Sequence, residues 1–143
     1  MCRRARMRSV PPANLSSPAA ARGAQVRAAL TQDGRTLCGH CLVADTPRLR
    51  MRGLLGRTEL PAGEGVLIRP TNAIHMWFMR FAIDAVFLSD DGEVLRIAAD
   101  LRPWRMAGKR GARSVLELKA GTCADHGLRV GDRVELVDLP AGP

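Results

Sequence analysis

The sequence predicts a mainly β domain, a compact small β-barrel or sandwich of six to eight short strands with one or two short helices. From Val26 onward, short apolar runs are separated by turn signals rich in Gly, Pro and Asp, which is the pattern of an all-β chain. No stretch supports the strand and helix alternation of a parallel sheet. The 143 residues suffice for one domain with a buried core. We therefore expect one β domain at 26–139, between a tail at 1–25 and a short tail at 140–143.

Two parts of the chain are typical of β-hairpins, because an apolar run, a turn with Asp and Gly, and a second apolar run follow one another. The first comprises residues 26–30, 32–35 and 37–43, and the second comprises residues 83–88, 89–92 and 93–99. Further apolar runs predict strands at 66–68, 115–118 and 133–137. Thr46-Pro47 predicts a short helix that ends at Gly56, and Thr122 is expected to cap a helical turn at 123–126.

Positive charge is concentrated in the N-terminal segment. Five of the 22 Lys and Arg residues lie within residues 1–25, which contain no acidic residue, so the remainder has 17 basic against 14 acidic residues. This basic segment lacks apolar periodicity and is predicted to be disordered. Prolines interrupt any secretory signal there, and no later run approaches the roughly 18 apolar residues of a membrane span. We therefore expect a cytoplasmic protein without membrane contact.

Several function classes lack their sequence signatures. The chain contains no G-x-x-x-x-G-K-[ST], no G-x-G-x-x-G after a strand, and no glycine-flanked turn around Ser114. Glu59, Glu64 and Asp84 could include a general acid or base, but the sequence gives no pairing distance. Tyr is absent and other aromatic residues are few, which leaves little material for stacking nucleic-acid bases. We expect no cofactor, and we favour a non-catalytic role while enzyme activity stays open.

The segment 72–88 places three polar side chains inside an otherwise nearly unbroken apolar run. These are His75, Arg80 and Asp84, and burying such groups without partners is costly. One interpretation is a structural strut, in which Arg80 and Asp84 form a buried ion pair and His75 donates to a backbone carbonyl. The other is a polar pocket where His75, Arg80 and Asp84, with Trp77 in its wall, bind a small anionic or polar ligand or a partner chain.

Four blocks of sequence follow one another between residues 52 and 136. They are RGLLGRTELPAGEGVLI at 52–68, IHMWFMRFAIDAVFL at 74–88, DDGEVLRI at 90–97 and SVLELKAGTCADHGLRVGDRVEL at 114–136. Together they resemble the bacterial and archaeal family known as domain of unknown function 192, over roughly residues 42–137. The resemblance implies a small all-β domain with short helical insertions, and it implies no activity, substrate or catalytic residue. Proline often stands in that family at the position of Ala82, so the local turn is looser here.

Three cysteines and one histidine raise the hypothesis of a metal or thiol-redox protein. Cys38 and Cys41 form a C-x-x-C motif, but it continues into a strand, whereas redox motifs start a helix. Residues three apart on a strand point to opposite faces, so a disulfide would need a bend. Cys123 and His126 could complete a zinc site with this pair, although nothing in the sequence brings the halves together. The simpler interpretation is reduced thiols that pack as small apolar residues.

Residues 101–113 are predicted to form a long basic loop, because Pro and Gly interrupt a run rich in Arg and Lys. Such a loop is usually just solvated, but Arg102, Arg105, Lys109 and Arg110 could also bind an anionic partner. The sequence shows no groove-reading helix and no interleaved aromatic residues. We therefore expect any binding of nucleic acid by this loop and the tail to be weak and sensitive to salt.

Overall fold

The computed structural model describes residues 25–30, 33–44 and 57–139, and within these ranges the chain forms nine β-strands and one short helix. The strands are β1 (Gln25–Leu30), β2 (Thr36–Ala44), β3 (Glu64–Ile68), β4 (Ala73–His75), β5 (Ile83–Leu88), β6 (Val94–Leu101), β7 (Met106–Gly108), β8 (Ser114–Lys119) and β9 (Val134–Asp138), and the helix is α1 (Thr122–Asp125). Strands β4 and β7 form a small second sheet, and the other seven form the main sheet. The predicted mainly β fold class is confirmed, with one strand more than the upper end of the predicted number.

The main sheet has the strand order β6-β5-β8-β3-β2-β1-β9. Neighbouring strands are antiparallel except for β2 and β3, which run parallel. The sheet curls until the residues that precede its two edge strands meet, where Glu93 and Arg133 form an isolated antiparallel bridge. Val94 strengthens this junction, because its N–H donates to the Asp132 carbonyl and its carbonyl accepts the Gly131 N–H, both at 2.8 Å. The curl leaves less exposed sheet edge, as in a partly closed barrel.

Glycine is required at one point of this junction. Gly92, in the turn between β5 and β6, has a φ of +86°. A Cβ at this position would lie 2.2 Å from the carbonyl oxygen of Val134, and the N–H of Val134 donates to the Gly92 carbonyl at 2.8 Å. Any side chain here would therefore push β9 away from the β5–β6 turn.

Both faces of the main sheet are buried, which explains the continuous apolar runs of β5 and β8. One face forms a core that includes Leu67 and Leu116 and extends to the residues around α1. The other face, which includes Phe87, packs against the small sheet through Ile74 and Met76. The small sheet therefore covers the second face of the main sheet and is held there by its own apolar side chains.

The two predicted hairpins are confirmed as β1–β2 and β5–β6. The predicted long loop at 101–113 is wrong in part, because β6 extends to Leu101 and β7 pairs with β4, with Ala107 buried in the second core. The predicted capping role of Thr122 is also wrong. Gly121 is the N-cap of α1, and no side chain makes a capping hydrogen bond there. The helix predicted at 46–56 and the segments 1–24 and 140–143 lie outside the described residues.

Within the described part of the chain, no helix has the length and apolar character needed to cross a membrane.

Candidate functional site

Asp84 lies near the start of β5, the strand next to the edge strand β6, and is completely buried. Its Oδ1 accepts the backbone N–H of Asp100 at 2.9 Å. Its Oδ2 accepts the backbone N–H groups of Gly121 at 3.1 Å and Cys123 at 3.0 Å. The carboxylate thus joins β5 to the end of β6, where Asp100 has a φ of +51°, and to the first turn of α1. Buried acceptors with this many donors are fully satisfied, which makes Asp84 a structural residue.

The predicted ion pair between Arg80 and Asp84 is wrong. Arg80 is exposed, and the ion pairs among the described residues do not include it. The physical reason is that backbone donors from distant parts of the chain already satisfy Asp84. His75 is exposed as well, so the three polar groups do not gather in one accessible hollow. Of the predicted ligand-binding residues, His75 and Trp77 remain together and Asp84 is separated from them.

Two tight turns at the outer end of the small sheet carry the exposed aromatic residues. In the first turn, the N–H of Met79 donates to the Met76 carbonyl at 3.3 Å, with Trp77 and Phe78 between them. In the second turn, at 102–105, the N–H of the last residue donates to the carbonyl of the first at 3.3 Å, with Pro103 and Trp104 between them. Each third position has a positive φ, +63° at Phe78 and +68° at Trp104, which type II turns need and Gly usually supplies.

The two turns are joined to each other by their backbones. The N–H of Met76 donates to the Arg105 carbonyl at 2.7 Å, and the N–H of Trp104 donates to the Met76 carbonyl at 2.8 Å. A non-glycine residue in the left-handed region costs about 1 to 3 kcal/mol and persists only when the surroundings hold it. Both turns therefore hold an exposed aromatic ring at a strained backbone position.

The rings on these turns contact one another and form what we call the ring surface, defined as His75, Trp77, Phe78 and Trp104. The centroids of His75 and Trp77 are 5.6 Å apart and the rings are stacked, with an interplanar angle of 20°. Trp104 contacts Trp77 at 6.1 Å and Phe78 at 4.9 Å. Phe78 remains 71% exposed and Trp104 57% exposed. Among the described residues, five large apolar side chains are exposed, and four of them lie here. They are Trp77, Phe78, Trp104 and Met106, the last of which pairs with His75 across the small sheet.

Positive charge surrounds the ring surface. The segments 69–83 and 101–116, which build the small sheet and its turns, contain seven Lys and Arg residues and no Asp or Glu. Arg80 follows the first turn, and Arg102 and Arg105 are the ends of the second, all of them exposed. Arg102 lies 3.7 Å from the exposed carboxylate of Asp100, and at this exposure the pair contributes little. Lys109 and Arg110 of the predicted anion-binding loop are also exposed and follow β7.

Glu117 is a buried carboxyl group that the sequence analysis missed. It lies in β8 between Val66 of β3 and Ala85 of β5, and only 5% of its surface is exposed. Burial raises the pKa of Glu117 from 4.5 to about 7. The available sequence signal was a single Glu in the apolar run of the strand Ser114–Lys119. A carboxyl group with this pKa changes its charge near neutral pH.

Cys38 and Cys41 are joined as a disulfide, with their Cα atoms 6.1 Å apart, so the interpretation of two separate reduced thiols is wrong. The required bend is a bulge: Val26 and Ala28 of β1 pair with Cys41 and Cys38 of β2, so the one residue between them on β1 faces two residues on β2. Both cysteines are fully buried, so a thiol-exchange partner has no access to them. Their place in a strand also lacks the helix terminus that activates a redox thiol.

Cys123 is a free, buried cysteine in the same core as this disulfide. Burial, together with the nearby carboxylate of Asp84, raises the pKa of the Cys123 thiol to about 12. A thiol of this kind stays protonated at neutral pH and is a poor nucleophile and metal ligand. The ring Nδ1 of His126 lies 2.9 Å from the Thr122 carbonyl. In the part of the chain that the structure describes, no three His, Cys, Asp or Glu residues are grouped as a metal site.

A separate cleft of about 110 Å³ lies at the ends of β3, β5 and β8. Arg69, Arg113, Ser114 and Asp90 are among its lining residues, and it contains none of the predicted site residues. Because Asp90 adds a negative charge to the two arginines, the cleft offers an anion a mixed electrostatic environment. At the ring surface, three exposed arginines outnumber the one nearby carboxylate, that of Asp100, so this surface is the better candidate for a binding site.

The chain matches one family model and two relatives. The family model DUF192, described as "Uncharacterized ACR", matches residues 28–136. A UPF0127 protein of Thermococcus sibiricus is 32% identical over 108 residues, which cover 71% of this chain and 69% of that protein. A UPF0127 protein of Pyrococcus furiosus is 39% identical over 64 residues, which cover 44% of this chain and 54% of that protein.

Two solved structures are similar to this chain in fold and sequence. A protein of unknown function from Novosphingobium aromaticivorans superimposes with a TM-score of 0.68 at 28% identity and covers 78% of this chain and 83% of its own. A proposed transcription regulator from Sinorhizobium meliloti superimposes with a TM-score of 0.66 at 29% identity and covers 79% of this chain and 92% of its own. These similarities support the fold, and they assign no reaction or ligand to it.

Proposed function

Because this chain belongs to the domain of unknown function 192 family, whose description gives no activity, we propose from its own geometry that it is a binding module. The site is the ring surface, and the ligand is a planar group that carries negative charge. The observation that carries the proposal is the pair of joined turns, in which Phe78 and Trp104 take positive φ angles and still present exposed rings. Strained backbone of this kind is found preferentially at ligand sites.

The chemistry of the ring surface fits such a ligand in two ways. Exposed aromatic faces attract other planar groups by stacking, and this contribution requires no particular hydrogen-bond pattern. The neighbouring Arg80, Arg102 and Arg105 can hold a carboxylate or phosphate by charge-assisted hydrogen bonds. An aromatic patch alone would favour neutral apolar ligands, so the excess of Arg80, Arg102 and Arg105 over the one nearby carboxylate, that of Asp100, is what favours an anion.

This proposal moves the predicted site and keeps its character. The sequence predicted a polar pocket at His75, Trp77, Arg80 and Asp84 for a small anionic or polar ligand or a partner chain. We now propose an open site that consists of the ring surface with Arg80 beside it and leaves out the buried Asp84. The side chains around it include no exposed nucleophile or acid and base pair, so we propose binding without catalysis. Metal and thiol chemistry at Cys38, Cys41, Cys123 and His126 has no comparable support.

Tryptophan fluorescence tests the proposal directly, because Trp77 and Trp104 are the only Trp residues and the chain has no Tyr. Emission therefore reports on the ring surface alone. We expect adenosine monophosphate to quench the emission to saturation, adenosine to do so more weakly, and ribose 5-phosphate to have little effect. Replacing Phe78 with Ala should weaken the response about tenfold, in line with the 1 to 3 kcal/mol that stacking contributes. Equal effects of all three compounds, or none from any, would refute the proposal.

A further inference from the structure

We propose that the ring surface binds single-stranded nucleic acid, with unpaired bases stacked on Phe78 and Trp104 and the phosphates held by the surrounding arginines. This inference rests on the proposed function and names the ligand class for the same site. It also revises an expectation from composition, namely that the chain has too few aromatic residues to stack bases. Composition counts residues and says nothing of where they lie.

The aromatic residues of the chain are concentrated where bases could reach them. The chain has two Trp and three Phe, and the ring surface holds both Trp and one Phe. Because Phe78 and Trp104 contact each other and are more than half exposed, each offers an outward area to a base. The tilt of 60° between these two rings means that two consecutive bases would stack on differently oriented platforms. Stacking of this type accepts any base and requires that the base be unpaired.

The charge around the rings exceeds what a single phosphate requires. Of the seven Lys and Arg residues within 69–83 and 101–116, Arg69 and Arg113 line the separate cleft, and the other five lie around the rings and the small sheet. In addition to Arg80, Arg102 and Arg105, the exposed Lys109 and Arg110 follow β7. A polyanion can occupy several of these cations at once and gains from the release of its counterions, whereas a mononucleotide occupies one or two.

Single-stranded nucleic acid fits this surface better than a duplex does. In a duplex the bases are stacked and paired, so the rings of Phe78 and Trp104 would find only the backbone. Reading the major groove needs a helix or a two-stranded ribbon that enters it. Within the described residues the one helix, α1, has four residues, and the small sheet ends in bulky rings. An acidic protein segment would satisfy the charge, but it would not use the outward ring faces as fully as bases do.

Fluorescence anisotropy of a labelled oligothymidylate of about 15 nucleotides tests the proposal with the full-length chain, so the N-terminal arginines are the same in every variant. We expect binding that weakens with salt, with a slope of log K against log salt between about −2, from the three flanking arginines alone, and about −3.5, when Lys109 and Arg110 also contact phosphates. Trp104→Ala should weaken binding about tenfold and Trp104→Phe much less, because Phe retains a ring at the same φ.

A pair of charge variants separates the local site from general attraction. Arg105→Ala should weaken binding and reduce the magnitude of the salt slope by about 0.7, whereas Arg129→Ala, an exposed residue in the turn before β9, should change either quantity much less. Equal losses from the two variants would overturn the proposal. So would equal affinity for a duplex of the same length or for inorganic polyphosphate, or a Trp104→Ala variant that binds like the wild type.

The outcome also distinguishes this inference from the proposed function beneath it. If adenosine monophosphate quenches the tryptophans but the oligothymidylate binds no more tightly than the mononucleotide, the ring surface is a site for small ligands and the nucleic-acid inference is wrong. If neither ligand acts on the ring surface, both proposals fail. If an acidic peptide competes with the mononucleotide while the oligothymidylate does not, the partner is a protein and the inference is again wrong.

Discussion

The buried carboxyl group of Glu117 should make the stability of this protein fall as pH rises through neutrality. Its pKa is about 7 in the folded chain, against 4.5 for an unburied glutamate, because burial in β8 disfavours the charged form. Because the pKa of Glu117 is higher in the folded than in the unfolded chain, the stability that its protonated form contributes is fully present below pH 4.5. This stability is lost as pH rises through about 7. The difference between the two pKa values corresponds to about 3 kcal/mol at 1.36 kcal/mol per unit.

Glu117→Gln tests this reasoning, because Gln has nearly the same shape and carries no charge at any pH. We expect the variant to unfold at about the same temperature as the wild type at pH 4.5 and roughly 10 °C higher at pH 8. Differential scanning calorimetry across this range measures both values. Glu135→Gln removes an exposed carboxylate from the edge strand β9 and serves as the matched control, with little change in pH dependence. Parallel pH profiles for the wild type and Glu117→Gln would refute the assignment.

Three further variants, one of them paired with a control variant, test other parts of the structure. Asp84→Asn should lower the free energy of unfolding by about 2 to 4 kcal/mol in urea denaturation, because its amide NH₂ would face backbone donors; a loss under 1 kcal/mol would contradict the structural role. Phe78→Gly should change that free energy by less than about 1 kcal/mol, since relief of the positive φ offsets the lost ring contact, yet it should weaken ligand binding about tenfold. Gly92→Ala should lower the free energy of unfolding by about 3 kcal/mol or more, because the added Cβ would collide with Val134. The control Gly127→Ala, also at positive φ but with open space around it, should lower it by only about 1 kcal/mol. Equal shifts of the unfolding temperature for the two glycine variants would refute the close approach.

The hairpins were predictable from the sequence because all of their information is local. In β5–β6, the apolar run, the turn at 89–92 and the returning strand are adjacent in the chain, and Gly92 supplies the positive φ that the turn needs. The parallel pairing of β2 with β3 was not predictable in this way, because no turn signal reports which distant strand will lie alongside. The small sheet was missed for a related reason, since β7 has three residues between stretches rich in Pro, Gly and Arg.

The sequence correctly marked the polar residues of the segment 72–88 as unusual, but it could not predict their hydrogen-bond partners. Arg80 and Asp84 are four apart in the sequence, which suggested a pair, whereas the donors to Asp84 come from Asp100, Gly121 and Cys123. These are backbone N–H groups from 16 to 39 residues away, and backbone groups leave no mark on the sequence. Only the fold brings them together.

The ring surface could be predicted only in part. His75 and Trp77 were identified together because both stand in the same unusual segment. Trp104 was assigned to a solvated loop, because Pro103 and the neighbouring arginines resemble an ordinary turn. A type II turn is usually indicated by Gly at its third position, and here that position is occupied by an aromatic ring. The departure from the usual turn residue is the feature that marks the site, and it becomes visible only when φ is known.

Two-dimensional ¹H–¹⁵N NMR of the tryptophan indoles tests the central claim most directly, because the chain has only two indole N–H groups, those of Trp77 and Trp104. If the ring surface is the binding site, adenosine monophosphate will shift both indole signals in a saturable manner. In the same titration, the signal of the Cys123 backbone amide, which donates a hydrogen bond to the buried Asp84, will not shift. Saturable shifts confined to Arg69, Arg113 and the other residues of the separate cleft, with both indole signals unmoved, would contradict the account.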